Sequence, residues 1–320
     1  MKLSRLITYK HMVDGLSAKH VYDEVFSLLR DISTDLDIQK VDFNNLKENI
    51  KSNREVVISK LKEIDDDLDS FKQGLTEFVD SIEGPYLERS RKSYLEGLQH
   101  DTPDYILDRH NFKKLLYKED TRDFFLSRVK LHANWKWPAM EIRPAWGEIT
   151  DSMIAGDPLY IVDTDEELFK HVKKKWTPEY QRRLRYYAIN ETQHKFFAKL
   201  PQGQIGLIIA VDFFNFKPLD VIDRYLREMY AVMRPGGTAI FTYNNCDLPI
   251  AVENFENSYY AYTPGRTVKD MCEKIGFKVT ASFDLENNVS WIEIERPGRR
   301  TSLRGGQTLA KIMNIDSGIT

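Results

Sequence analysis

Apolar residues in the first third of the chain recur at helical intervals. From Val57 to Ile82 they alternate steps of four and three residues, and charged residues fill most of the positions between them. This spacing predicts a coiled-coil seam. Leu46, Ile50 and Asn53 extend it upstream, with an extra residue before Val57 that would locally unwind a supercoil. The seam residues are Val57, Leu61, Ile64, Leu68, Phe71, Leu75, Phe78 and Ile82.

The spacing leaves open what the seam of residues 46–82 packs against. A second copy, another protein and a helix of the same chain are all compatible with it. Gly84-Pro85 predicts the end of the helix. The apolar positions of residues 25–32 predict an earlier helix, and residues 86–135 are expected to form a helical connector with patterns at 105–107 and 115–117.

From residue 138 the pattern changes to short apolar runs that alternate with amphipathic segments, so we expect a domain boundary near residue 135. Such alternation predicts a mostly parallel sheet with helices on both faces. Only residues 284–288 separate the last two runs, which therefore form an antiparallel hairpin. The predicted strands are residues 139–142, 159–162, 184–189, 205–211, 238–242, 277–283 and 289–294. The predicted domains are 1–135, 136–297 and a basic tail at 298–320.

Composition narrows the class of protein without naming a partner. The chain has 320 residues, of which 42% are hydrophobic and 30% charged, and its net charge is −3. Cys246 and Cys272 have no metal-binding or disulfide-framework spacing. No signal peptide or membrane-length apolar run is present, so we expect a cytoplasmic protein, or a virion protein if a phage encodes it, with no membrane partner.

Charge is nearly balanced in both halves, with 22 Lys and Arg against 25 Asp and Glu up to residue 135 and 24 against 24 beyond it. Neither half is therefore expected to bind nucleic acid. The tail after Glu295 is an exception, because it contains five Lys and Arg residues and a single acid, Asp316. A basic tail of this kind suits an acidic or nucleic-acid surface.

Two turn motifs resemble those of class I S-adenosylmethionine-dependent methyltransferases. They are Met233-Arg234-Pro235-Gly236-Gly237 before the fifth strand and Glu273-Lys274-Ile275-Gly276-Phe277 before the terminal hairpin. The resemblance covers about half of the chain. It implies a Rossmann-like sheet of seven strands, with S-adenosylmethionine bound at the carboxyl ends of the first strands.

The resemblance also implies which residues would hold this cofactor. Glu141 stands at the acidic position that ends strand one, and Gly147 belongs to the loop of residues 143–147, which is followed by a predicted helix at 149–154. Asp163 corresponds to the acid that accepts hydrogen bonds from the ribose hydroxyls. Asn190 corresponds to an adenine contact, or alternatively is a helix cap. Asp212 lies after strand four, near the cofactor or substrate.

The loop departs from the family pattern where glycines usually stand. Arg143 and Ala145 replace two of them, and glycines in such loops permit positive φ and close approach of the cofactor. We expect the Arg143 side chain to pair with Glu141 or Asp163 and so to replace a ligand electrostatically. The segment Asp212-Phe213-Phe214-Asn215-Phe216 lacks a catalytic signature, and its aromatic residues are expected to pack as core or rim.

These departures favour a non-catalytic methyltransferase-fold protein that serves as a structural or assembly module through its coiled coil, for example in a phage particle. The alternative is an active methyltransferase, which works mostly by positioning and needs no obvious acid or base. A nicotinamide-dependent oxidoreductase is a third possibility, and the order of the strands in the sheet would distinguish it from a methyltransferase fold. His132, His171 and His194 have no partnered nucleophile and no metal-ligand spacing.

Overall fold

The computed structural model describes residues 3–15, 54–98, 118–285 and 289–298, and the side chains of residues 54–61 are not part of this description. The chain divides into two compact units. The first contains the described residues up to Glu88 together with Cys246–Asn257. The second contains Arg89–Asn245 and the described residues from Ser258 onward.

The first unit is helical. Helix α1 spans Leu3–Asp14 and α2 spans Arg54–Ile82, while a later helix at Pro249–Asn257, here α8, joins the same unit. Helix α1 contacts both α2 and α8. The Ser4 hydroxyl donates a hydrogen bond to the Glu256 carboxylate at 3.1 Å, which links α1 to α8.

The long helix predicted from the apolar spacing is confirmed as α2. Ile64, Leu68 and Leu75 are buried, but Phe78 is 44% exposed and Val79 is buried instead. A straight α-helix has 3.6 residues per turn, so a strict 3.5-residue pattern drifts around its surface. Pairing of this helix with a second copy stays a prediction, and residues 25–32 and 46–53 lie outside the described residues.

Helix α2 ends at the predicted stop, and α3 (Gly84–Gly97) begins after one intervening residue. Proline is well tolerated in the first turn of a helix, so Gly84-Pro85 both ends one helix and opens the next. Helix α4 spans Glu119–His132. The patterns at 105–107 and 115–117 fall outside the described residues.

The second unit is built on the predicted seven-stranded sheet, which is confirmed. Its order is β3-β2-β1-β4-β5-β7-β6, and all neighbouring pairs are parallel except those made by β7. The all-parallel order 3-2-1-4-5-6 is usual for dinucleotide-binding folds, so the inserted antiparallel β7 argues against the oxidoreductase alternative. The strands are β1 (Ala139–Ile142), β2 (Leu159–Asp163), β3 (Leu184–Ala188), β4 (Ile205–Ala210), β5 (Met233–Tyr243), β6 (Lys278–Leu285) and β7 (Val289–Glu295).

Helices α5 (Lys170–Lys175) and α6 (Pro178–Gln181) connect β2 to β3, α7 (Leu219–Val232) connects β4 to β5, and α9 (Gly265–Ile275) precedes β6. Short 3-10 helices lie at Thr150–Met153, Glu166–Phe169 and Phe214–Phe216. Helix α9 ends at Gly276, whose φ of 108° permits the left-handed cap that turns the chain into the hairpin.

The connection after β1 differs from the prediction, since the helix expected over 149–154 is only the 3-10 turn Thr150–Met153. The physical reason is a close approach at Gly156, where an added Cβ would lie 2.5 Å from the Ala139 Cβ.

The sheet buries apolar side chains on both faces, as expected for strands covered on both sides. One cluster includes residues of α7 and α9, and the other includes Phe125 and Val129 of α4. Arg128 of α4 also forms an ion pair with Glu293 of β7 at 2.6 Å. Residues 118–135 therefore belong to the sheet unit, and the contacts divide the chain after Glu88, earlier than the boundary expected near residue 135.

Candidate functional site

The loop that follows β1 adopts an unusual backbone. Arg143, Ala145 and Gly147 all have positive φ, at 56°, 49° and 74°. Positive φ is uncommon for residues other than glycine and costs roughly 1–3 kcal/mol where it occurs. The two substituted positions thus keep the conformation that glycines would provide.

Local contacts hold this loop in place. The Arg143 N–H donates to the carbonyl of Val162 at 2.9 Å, and the Gly147 N–H donates to the carbonyl of Pro144 at 2.7 Å. The methyl group of Ala145 is buried against Leu168. Because the surrounding structure determines the backbone in this way, the strain is tolerated.

The Arg143 side chain lies inside the site. Its Nε donates to Asp163 Oδ1 at 2.7 Å and its Nη2 donates to Thr164 Oγ1 at 3.0 Å. The side chains of Arg143 and Asp163 are 3% and 0% exposed. The guanidinium carbon also lies 5.2 Å from the centre of the Phe213 ring. The expected pairing of Arg143 is therefore confirmed, with Asp163 as its partner.

Only one oxygen of Asp163 is satisfied. Oδ1 accepts from Arg143 and from the Thr164 N–H at 2.7 Å, whereas Oδ2 is buried and has no hydrogen-bond partner among the described residues. Burial raises the pKa of the Asp163 carboxyl, and the neighbouring Arg143 acts in the opposite direction. A buried acceptor without a donor is costly and calls for an explanation such as a bound group.

Glu141, at the acidic position of β1, has Thr150 as its hydrogen-bond partner. Its carboxylate accepts from Thr150 Oγ1 at 2.6 Å. Burial raises the pKa of Glu141 to about 7, although the Thr150 hydrogen bond and Lys175 oppose the shift. Lys175 in turn donates to the Gly147 carbonyl at 2.6 Å and pairs with Asp151 at 2.9 Å.

A second polar cluster, not foreseen from the sequence, surrounds Glu191. Lys217 Nζ donates to its two carboxylate oxygens at 2.9 and 3.2 Å, and the hydroxyl of Tyr94 donates at 2.9 Å. The Tyr225 hydroxyl also donates to it. Burial would raise the pKa of Glu191, but Lys217 and these hydrogen bonds outweigh burial and lower it to about 2. The cluster is thus an ionised pair.

A cavity of about 210 Å³ lies between these groups. Arg143, Glu191, Lys217, Tyr94 and Tyr260 are among its walls. Small-molecule sites usually measure roughly 300–1,000 Å³. The space that the side chains leave is thus small for a nucleoside cofactor.

The structure brings Glu141, Gly147 and Asp163 together around one loop, but these three residues do not line the cavity, and neither do Asn190 and Asp212. Asn190 is exposed, and its side-chain oxygen accepts from the N–H and hydroxyl of Thr192, a local turn close to the capping alternative. Asp212 is buried with φ 52°, and its N–H donates to Thr242 Oγ1 at 2.7 Å. Their roles toward a cofactor stay predictions.

The aromatic residues after β4 pack as the sequence predicts. Phe213 and Phe214 are buried in the core beside Tyr225, and Phe216 is also buried. Among the described residues, no group of three or more His, Cys, Asp or Glu side chains is arranged to hold a metal ion. None of the described helices is long and apolar enough to cross a membrane.

Comparison with known proteins finds similarity to solved structures alone. No protein-family profile matches the chain, and no curated protein matches its sequence. A methyltransferase from Aquifex aeolicus is similar in structure, with 13% identity, a TM-score of 0.46 and coverage of 61% of this chain and 99% of that one. The N-methyltransferase NodS from Bradyrhizobium japonicum WM9, in complex with S-adenosylhomocysteine, is also similar in structure. The identity is 15%, the TM-score is 0.47, and the match covers 62% of this chain and 100% of that one.

An O-methyltransferase family protein from Burkholderia thailandensis is similar to the same degree, with 9% identity, a TM-score of 0.47 and coverage of 61% of this chain and 60% of that one. At these identities the likeness concerns the fold alone. The strand order and the terminal antiparallel pair agree with the seven-stranded sheet that the sequence resemblance implies.

Proposed function

We propose that this chain is a methyltransferase-fold protein whose cofactor site is closed by its own Arg143, and that it serves as a structural or assembly module. The observation that carries the proposal is the buried pair of Arg143 and Asp163. The Arg143 guanidinium binds one oxygen of the Asp163 carboxylate, which the sequence resemblance assigns as the acceptor of the ribose hydroxyls. The residues as they stand therefore do not fit S-adenosylmethionine.

The energies support this choice. Leaving a buried charge without its partner costs about 3–5 kcal/mol. A hydrogen bond from a ribose hydroxyl to the carboxylate returns only about 1.5–3 kcal/mol. A nucleoside that displaced Arg143 from Asp163 would thus require Arg143 to find another partner or to leave the site, and the remaining cavity of about 210 Å³ offers it little room.

One observation favours the alternative of an active S-adenosylmethionine-dependent methyltransferase. Asp163 Oδ2 has no hydrogen-bond partner in the part of the chain that the structure describes, and the loop keeps positive φ at Arg143, Ala145 and Gly147. A ribose hydroxyl would satisfy the free oxygen. In that case Arg143 would move aside on binding, and the methyl acceptor would be a small molecule, a protein or a nucleic acid.

Calorimetric titration of the full chain with S-adenosylmethionine and S-adenosylhomocysteine separates the two functions. We expect no binding by the natural chain at ligand concentrations up to about 1 mM, and binding by the variant Arg143→Gly, Ala145→Gly. The matched control adds Asp163→Asn to that variant and should lose the gained affinity. Micromolar binding by the natural chain would overturn the proposal.

The assembly role rests on the seam of residues 46–82, which we propose as the contact with a second copy or another protein. Phe78 is a seam residue that is exposed in the single chain. Light scattering of the full chain should give the mass of an oligomer, and Phe78→Lys should lower it. A monomeric mass would show that the chain does not associate with itself. The proposed partner would then be another protein, such as a component of a phage particle.

A further inference from the structure

Positive charge is concentrated in one short part of the second unit. Residues 170–185 contain seven Lys and Arg residues and one acid, Glu179, whereas the whole chain has a net charge of −3. This segment forms α5, α6 and the start of β3, and β3 is the edge strand of the sheet. This local concentration is not visible when the charges are counted over each half of the chain. We call residues 170–185 together with Trp146 the β3-edge surface.

Part of this charge has carboxylate partners and part does not. Lys170 pairs with Glu167, Lys175 with Asp151 at 2.9 Å, and Arg183 lies 3.6 Å from Asp157. Four other cations are exposed and have no carboxylate within 4.0 Å in the part of the chain that the structure describes. They are Lys173, Lys174, Arg182 and Arg185. The surface therefore keeps a net positive charge.

Aromatic rings lie among these cations. Trp146 is 44% exposed, and its ring centre lies 4.0 Å from that of His171 on α5. Lys173 Nζ lies 4.8 Å from the centre of the Tyr186 ring. Surfaces that bind single strands combine cations along the phosphate backbone with aromatic rings on which bases stack. Both components are present here.

We propose that the β3-edge surface binds single-stranded nucleic acid. Lys173, Lys174 and Arg182 contact the phosphates, and Trp146 stacks on a base. A single strand fits better than a duplex because α5 has only six residues, too few for a helix that reads a major groove. An anionic membrane fits less well, because the apolar residue of α5, Val172, is buried rather than available for insertion. This site is separate from the loop of Arg143, so it does not depend on the proposed function.

Fluorescence anisotropy with labelled oligo(dT) and oligo(U), each about 20 nucleotides long, tests the proposal on the full chain. We expect the variant Lys173→Gln, Lys174→Gln, Arg182→Gln to bind about tenfold more weakly or worse. Between about 50 and 200 mM salt, the slope of log affinity against log salt should fall by about 2, because three phosphate contacts are lost. Trp146→Ala should weaken binding and leave this slope unchanged.

The matched control removes three exposed cations elsewhere, with Arg227→Gln, Lys274→Gln and Lys278→Gln. It carries the same change in net charge and should bind like the natural chain, and thermal unfolding verifies that both variants fold. Three results would overturn the proposal: no binding by the natural chain at the lower salt, equal losses in both variants, or unchanged binding by the first variant, which would assign binding to the basic tail. Binding to phosphatidylserine vesicles without binding to the oligonucleotides would also overturn it.

Discussion

Arg128 and Arg143 each meet a buried carboxylate, but the two ion pairs are built differently. Arg128 binds both oxygens of Glu293, at 2.7 and 2.6 Å, and its own side chain remains 27% exposed. Arg143 binds a single oxygen of Asp163, and both side chains are almost completely buried. The second oxygen has no hydrogen-bond partner within residues 3–15, 54–98, 118–285 and 289–298.

The difference separates a structural contact from a site that can bind. The pair of Arg128 and Glu293 fastens α4 to the sheet and satisfies its acid fully, so nothing is left for a ligand. The pair of Arg143 and Asp163 carries a larger desolvation cost and a strained backbone, and it leaves an acceptor free. The unsatisfied oxygen of Asp163, at the carboxyl ends of β1 and β2, is the feature that still resembles a cofactor site.

The largest expected effect is from Asp163→Ala, which leaves the Arg143 charge buried without its partner. We expect the free energy of unfolding, measured by urea denaturation, to fall by about 3–5 kcal/mol. The double variant Asp163→Ala, Arg143→Met removes both charges and should recover more than half of this loss. A loss below about 1 kcal/mol would show that Arg143 reaches solvent easily, which would favour the active enzyme.

A buried acid without an arginine should behave differently with pH. The pKa of Glu141 rises from 4.5 to about 7 on folding, so the folded state retains a proton that the unfolded state loses in between. Its contribution to stability is therefore complete below about pH 4.5 and lost as the pH rises to about 7, a change of up to about 3 kcal/mol. The free energy of unfolding, plotted against pH over this range, should fall less steeply for Glu141→Gln than for the natural chain. Identical slopes for the two proteins would contradict the prediction.

The smallest expected effect is from Glu293→Gln, because the partly exposed Arg128 can turn toward water. We expect a loss of about 1–3 kcal/mol at neutral pH. Hydrogen bonds from Arg128 outweigh burial and lower the pKa of Glu293 to about 2. The contribution is thus present above about pH 4.5 and disappears as the pH falls toward 2, so the two proteins should converge there.

The exposed pair of Asp270 and Lys274 provides the control for this measurement. Asp270→Asn should change the free energy of unfolding by less than about 1 kcal/mol. A loss from Glu293→Gln no larger than this control would show that the bidentate pair does not fasten α4. If Glu293→Gln lowered the free energy of unfolding as much as Asp163→Ala does, the two ion pairs would not differ in their contribution to stability.

Most of the sheet could be predicted from the sequence because each strand is a short apolar run between turn signals. Residues 139–142 form β1 with the predicted bounds, and the hairpin follows from its short connection. The glycine motif before β5 is also informative, since a Cβ at Gly237 would lie 2.9 Å from the carbonyl oxygens of Arg234 and Ile205. There only glycine fits, whereas the loop after β1 tolerates Arg143 and Ala145 at the cost of strain.

The cluster around Glu191 could not be predicted. Tyr94 and Lys217 stand 97 and 26 residues away from Glu191 in sequence, and neither belongs to a motif that points to the other. A lysine side chain is ordinarily solvated. Only the packing of the second unit shows that this one is buried against a carboxylate.

The sequence by itself determined the seven strands, the terminal hairpin, the long helix α2 and the presence of an arginine where a glycine is usual. The tertiary structure decided which acid that arginine meets. In the parallel register of β1 and β2, Ile142 lies opposite Val162, so the next residues, Arg143 and Asp163, lie side by side at the carboxyl ends of the two strands. Glu141 lies two residues earlier and bonds to Thr150 instead. Periodicity along the chain predicts elements, but the pairing of charges depends on the register between strands.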